Sequence, residues 1–130
     1  MSPRPHSAIV LFAHGARDPE WARPFEGIKT RIERERPGLP VALAFLEFMS
    51  PTLDQAVEAL VADGATLIDV VPVFMARAGH VKRDLPLLVD ALRGAHPQVS
   101  IRLAPAVGEA EPVMDAIAGW VISLANRPSA

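Results

Sequence analysis

Two histidines in this chain leave short apolar runs in a similar way. His14 follows Ala8-Ile9-Val10-Leu11-Phe12-Ala13 and is followed by Gly15, and His80 lies beyond Val71-Pro72-Val73-Phe74 and is preceded by Gly79. Glu47 closes a third such run, Val41-Ala42-Leu43-Ala44-Phe45-Leu46. Two imidazoles and a carboxylate suit a borderline divalent ion such as cobalt, nickel, iron or zinc, and suit magnesium or calcium poorly. Neutral imidazole is also the side chain best placed to accept a proton near neutral pH. Arg17, Arg77, Lys82 and Arg83 flank the same positions. A local cationic rim of this kind favours a polyanion, above all carboxylates or phosphates that arginine can grip in a fork. His6 and His96 belong to no such pattern and read as surface residues.

The bulk properties narrow the field. A chain of 130 residues is expected to form one domain with a single core, spanning 1–130. Its formal net charge of −2 gives no general attraction to nucleic acid or anionic membrane, and neither is expected as a partner. It contains no cysteine, which rules out disulfides and thiolate ligands. No apolar run approaches the roughly 18 residues of a membrane span. The apolar start leads into His14-Gly15 without a cleavage signal, so a first strand and a cytoplasmic location are expected.

The elements that must carry these side chains alternate. Strands are expected at Ala8 to Ala13, Val41 to Leu46, Leu67 to Phe74 and Val99 to Leu103. The first helix should start at Asp18-Pro19, be interrupted by Pro24, bury Phe25, Ile28 and Ile32, and stop at Pro37-Gly38. The second opens at Thr52 with Gln55 as a capping-box partner, buries Leu53, Ala56, Val57, Leu60 and Val61, and ends at Gly64. The third is expected to be capped by Asp84 and to bury Leu87, Leu88, Ala91 and Leu92. The last, Glu111 to Ala125, should bury Val113, Ile117, Trp120, Val121 and Leu124. Pro72 is awkward inside a central strand and is read as the point where pairing ends.

Strand and helix alternating four times predict an α/β three-layer sandwich on a four-stranded parallel sheet. Right-handed crossovers make 2-1-3-4 the simplest strand order, in the manner of flavodoxin-like and chelatase-like folds. Ligands in such sheets bind beyond the carboxyl ends of the strands, where the winding reverses. That point falls between the first and third strands, which is where His14 and His80 emerge.

At these residues the sequence resembles the class II chelatases, in particular the small single-domain sirohydrochlorin chelatases of cobalamin and siroheme synthesis. The resemblance runs from Ile9 to about Gly108. It is carried by His14-Gly15-x-Arg17-Asp18-Pro19, by Ala44-Phe45-Leu46-Glu47 followed by Pro51, by Gly64-Ala65-Thr66, by Val71-Pro72-Val73-Phe74, and by Gly79-His80-Val81-Lys82-Arg83-Asp84-Leu85-Pro86. Ala78 stands where many members have a second glycine, and the histidine-rich tail of some members is absent.

The resemblance implies a lyase that inserts a divalent metal, Co2+ first and Fe2+ or Ni2+ as alternatives, into a polycarboxylate tetrapyrrole. The metal is then a substrate, and no prosthetic group is expected. It implies that His14 and His80 hold the ion and take pyrrole protons, that Glu47 assists, and that Arg17, Arg77, Lys82 and Arg83 seat carboxylates. It also implies a homodimer enclosing a central cleft. Two rivals stand beside this reading. A non-enzymatic cobalt or nickel carrier would gain nothing from the cationic rim. A histidine phosphatase would carry Arg-His-Gly where this chain has Ala13-His14-Gly15, and no aryl phosphatase activity is expected.

Overall fold

The computed structural model describes residues 6–76 and 79–128, without the side chains of Gly79 and His80. Its four strands are β1 (Ser7–Ala13), β2 (Val41–Phe45), β3 (Leu67–Pro72) and β4 (Ser100–Leu103), and they form one parallel sheet in the order β2-β1-β3-β4. The expected architecture and strand order are therefore the observed ones.

Four α-helices connect and follow the strands: α1 (Arg23–Glu35), α2 (Leu53–Ala62), α3 (Gly79–Ala95) and α4 (Glu111–Ala125). Helices α2 and α3 bury the larger core against Ala8, Val10, Phe12, Ile68, Val70 and Ile101. Helix α1 lies on the opposite face, where Trp21, Phe25 and Leu43 pack around Ala13, Ala22 and Phe45. Those two layers follow from right-handed crossovers, because β1 to β2 moves one way along the sheet and the next two connections move the other way.

Local chemistry explains most boundaries. Asp18 accepts the Glu20 N–H at 3.0 Å and opens a short 3-10 turn, Pro19–Ala22, so the irregular start expected before Pro24 is present. Thr52 accepts the Gln55 N–H at 3.3 Å, and the Gln55 side chain accepts the Thr52 N–H at 3.0 Å, completing the capping box. Thr52→Ala is expected to lower stability by about 1 kcal/mol, read as a lower urea midpoint with an unchanged m-value.

Pro72 ends β3 as expected. The Val73 N–H donates to Phe12 at 2.8 Å, so the side on which a residue 72 N–H would lie faces β4. There the last registered pair is Val70 with Leu103, and the proline interrupts no ladder.

Four expectations need correction. Strand β2 stops at Phe45, and the chain bends from Leu46 to Pro51, so Glu47 lies one step beyond the strand in a loop. Helix α3 begins at Gly79, which puts His80 in its first turn and makes Asp84-Leu85-Pro86 helix interior. Its buried stripe is Val81, Leu85, Val89 and Leu92, while Leu87, Leu88 and Ala91 are exposed. The four-residue steps from Val81 to Val89 outweigh the local resemblance of Asp84-x-Pro86 to a helix start. Helix α4 has the expected limits but buries none of its residues, and Ile117, Trp120, Val121 and Leu124 are all exposed. In α1 none of the three residues expected inside is fully buried: Phe25 and Ile32 are half-buried and Ile28 is exposed. Among the described residues no helix is long and apolar enough to cross a membrane.

Candidate metal and macrocycle site

The site is built on the carboxyl edge of the sheet, where β1 and β2 release their chains side by side. Ala13 is registered with Phe45 at the end of both strands. Beyond that pair the Leu46 N–H donates to the Ala13 carbonyl at 2.9 Å and the Glu47 N–H donates to the His14 carbonyl at 3.1 Å. The backbones of His14 and Glu47 are thus bonded directly, although thirty-odd residues separate them in the chain.

Gly15 makes this junction possible. Its φ is +89°, and a β-carbon there would meet the Glu47 carbonyl oxygen at 1.9 Å. Only a residue without a side chain lets the two loops approach so closely while turning through the left-handed region.

The His14 imidazole is solvent-exposed and lies on the ring of Phe74, with centroids 4.4 Å apart and planes at 33°. Phe74 is itself buried and touches the Phe12 ring at 6.0 Å. One imidazole face is therefore held against the core while its edge is open to solvent. An imidazole presented in this way keeps a ring nitrogen accessible for a metal ion or a proton.

Phe48 continues the loop with a φ of 66°, unusual for a bulky residue, and its ring lies in the open. The Arg17 guanidinium sits 5.0 Å from the centre of that ring, a cation–π arrangement that holds a positive charge against the loop that carries Glu47. Met75 is exposed next to Phe74, and Leu46 and Leu88 edge a small apolar cleft of about 100 Å³ together with Phe12, Val81, Asp84 and Leu85. That cleft shows the first half of α3 lying against the β1 and β2 exits, which carries the exposed Lys82 and Arg83 to the same end of the molecule.

The sequence-predicted residues divide accordingly. His14, Glu47 and Arg17 gather at one edge, and Lys82 and Arg83 ride the helix beside it. The backbone of His80 belongs to the first turn of α3, and its side chain lies outside the described residues, as does Arg77 altogether. Among the described residues no three His, Cys, Asp or Glu side chains converge as a metal site, so His14 and Glu47 alone would leave most coordination positions open. Sequence reasoning did not single out Phe48, while Phe74, in the apolar run that leads to His80, is buried core that also backs the His14 ring. An aromatic residue beside the loop's glutamate, before Ser50-Pro51, was the available signal for the first.

A doubly wound α/β sheet with its exposed chemistry at the carboxyl edge defines a class that binds ligands at that edge. Comparison with known proteins narrows the class. The family model CbiX matches residues 8–122, and the chain belongs to the CbiX family. Sirohydrochlorin ferrochelatase of Bacillus subtilis (strain 168) is 35% identical over 115 residues, covering 85% of this chain and 42% of that protein. Sirohydrochlorin cobaltochelatase of Methanococcus aeolicus is 34% identical over 85 residues, covering 65% and 59% respectively. Among solved structures, a CbiX protein of Marinobacter aquaeolei VT8 superposes with a TM-score of 0.80 at 30% identity over 94% of this chain and 99% of that one. The sirohydrochlorin chelatase SirB of Bacillus subtilis subspecies spizizenii, in complex with cobalt, superposes at 0.74 with 26% identity, covering 90% of this chain and 50% of SirB. The chain thus spans about a third to three fifths of the chelatases it matches in sequence, and about half of SirB.

Proposed function

We propose that this protein is a sirohydrochlorin chelatase that inserts Co2+ into the macrocycle. The observation that carries the reading is the exposed His14 imidazole, held on Phe74 and bonded through its backbone to Glu47, in a chain of the CbiX family. Relatives named as chelatases, and SirB structures holding cobalt and Fe3+, support a metal as substrate.

The chemistry is an exchange. The divalent ion enters with ligands it must shed, and two pyrrole N–H groups each give up a proton as metal–nitrogen bonds form. His14 and His80 hold the incoming ion through neutral imidazole nitrogens and, as the ion moves to the ring, accept the released protons. Few protein ligands keep the ion loosely held, as a substrate must be. Glu47 completes or orients that coordination. Arg17, Arg77, Lys82 and Arg83 pair with peripheral carboxylates, while Phe48 and Met75 offer apolar surface to the flat ring. The open edge of one copy covers one side of such a ring, and a homodimer would enclose the other.

Iron is the second reading, favoured by the ferrochelatase relatives at 33% and 35% identity. The test is absorbance-monitored insertion into sirohydrochlorin with Co2+, Fe2+ and Ni2+ under anaerobic conditions. Insertion well above the uncatalysed rate, fastest with Co2+, is expected. Fastest insertion of Fe2+ would assign the ferrochelatase activity. Metal binding without a change in the macrocycle spectrum would make the protein a carrier and defeat the proposal.

A further inference from the structure

Arg23, Arg93 and Arg102 each pair with a carboxylate, that of Glu20, Asp90 and Asp69 in turn. Arg17 does not. Among the described residues its partner is the ring of Phe48, 5.0 Å from the guanidinium carbon, and its N–H donors meet no acceptor. A guanidinium drawn to an aromatic face is held by the ring's quadrupole, which leaves its planar fork available for a bidentate acceptor. Arg102 shows the contrast: its fork is filled by both Asp69 oxygens, at 2.6 and 2.8 Å, and has little left to offer a ligand.

Residue type and backbone disagree at Phe48. Its φ of 66° lies in the left-handed region, where a β-carbon crowds the carbonyl that follows and where Gly or Asn would serve at lower cost. Its ring is 58% exposed, so burial offsets little of that cost. The loop accounts for the backbone. Leu46 and Glu47 are tied to the carbonyls of Ala13 and His14, the Phe45 N–H donates to the Pro51 carbonyl at 2.9 Å, and Met49 packs beside Ala22 and Phe45. With both sides pinned, residue 48 must make the turn. The loop does not account for the phenylalanine. A strained and exposed aromatic whose ring contact, among the described residues, is a cation has that cation as its reason to be there.

We propose that Phe48 is a positioning residue: its ring holds the Arg17 guanidinium across the gap between two loops, with the fork preset to receive a carboxylate of the macrocycle. This deepens the chelatase reading and rests on it. An arginine free in water gives up rotamer freedom when it grips a ligand, and one already lodged on a ring has given up part of it beforehand. The backbones beneath the pair are fixed as well. Gly15 abuts the Glu47 carbonyl on one side of Arg17, and on the other the Asp18 side chain accepts the Glu20 N–H at 3.0 Å. An aromatic holder therefore orients the cation without neutralising it. A leucine at position 48 would keep apolar surface for the flat macrocycle but lack the π face, so the two uses of the ring can be told apart.

The test titrates the metal-free, full-length chain with sirohydrochlorin by absorbance, and follows metal insertion and urea unfolding on the same preparations. Phe48→Leu should raise the dissociation constant of the macrocycle about fivefold, with the loss falling on KM more than on kcat, and Phe48→Trp should restore native binding. Arg17→Gln should raise it at least about tenfold. In that background Phe48→Leu should add less than about twofold, because it acts through the guanidinium. Phe48→Gly, which relieves the left-handed strain, should weaken binding like Phe48→Leu without lowering the urea midpoint, whereas a merely structural residue would move the two together. Native binding by Phe48→Leu overturns the inference. So does full multiplication of the two losses in the double variant, which would make Phe48 a direct contact of the macrocycle, or a lowered midpoint with intact binding in Phe48→Gly. Each of these leaves the chelatase reading standing; a native chain that does not bind sirohydrochlorin defeats both.

Discussion

Replacing His14 with alanine is expected to slow metal insertion by at least about a hundredfold while changing stability by less than about 1 kcal/mol. The asymmetry follows from where the ring sits. His14 is exposed and, among the described residues, its ring contact is with Phe74, so little packing is lost when the imidazole goes. A group that both holds the ion and accepts a proton is needed at the moment of transfer, so the rate suffers. His80→Ala should give a loss of the same size. If the two imidazoles act on one ion, the double variant will be scarcely slower than the worse single one, because a unit that has lost one member has already failed. Absorbance-monitored insertion and thermal unfolding, run on the same preparations, check both halves. Full multiplication of the two losses would mean that the histidines act at separate steps.

Gly15→Ala is expected to cost about 2–4 kcal/mol of stability and to lower activity with it. Two effects add. The added β-carbon must adopt a left-handed backbone at φ +89°, and it must push aside the Glu47 carbonyl that it would meet at 1.9 Å. Moving that carbonyl strains the adjoining peptide, whose Glu47 N–H donates to His14 at the junction on which the site is assembled. Gly64→Ala separates the two contributions. Gly64 has a similar φ of +100° with nothing near its missing β-carbon. It should therefore lose only about 1–2 kcal/mol, by the strain alone, and keep its insertion rate. Equal losses at the two positions in urea unfolding would show that the close approach at Gly15 carries no weight.

Much of this architecture was legible because parallel strands announce themselves. Val10, Phe12, Ile68 and Val70 are buried in runs that are apolar throughout, and the crossover rule turns four such runs into one strand order. That order alone put His14 and Glu47 at one edge, and the Ala13 to Phe45 register agrees. What escaped were features set by tertiary contact. The start of α3 was hidden because Asp84-Leu85-Pro86 imitates a helix entrance, whereas Val81 and Leu85 dock on the core and extend the helix backwards. The exposure of α4 was invisible because an apolar periodicity states that a helix will be buried and not against what. The left-handed backbone at Phe48, which brings its ring under Arg17, has no signature in residue type, since bulky side chains avoid that region.

Insertion by the proposed route requires that two imidazoles, one just after β1 and one in the first turn of α3, meet at one ion. X-ray absorption of the chain loaded with one equivalent of Co2+, compared with its His14→Ala and His80→Ala variants, addresses this directly. The native protein should show two imidazole ligands among nitrogen and oxygen donors, and each variant one. A cobalt ion bound through His6 or His96, or an imidazole count that neither substitution changes, would contradict it.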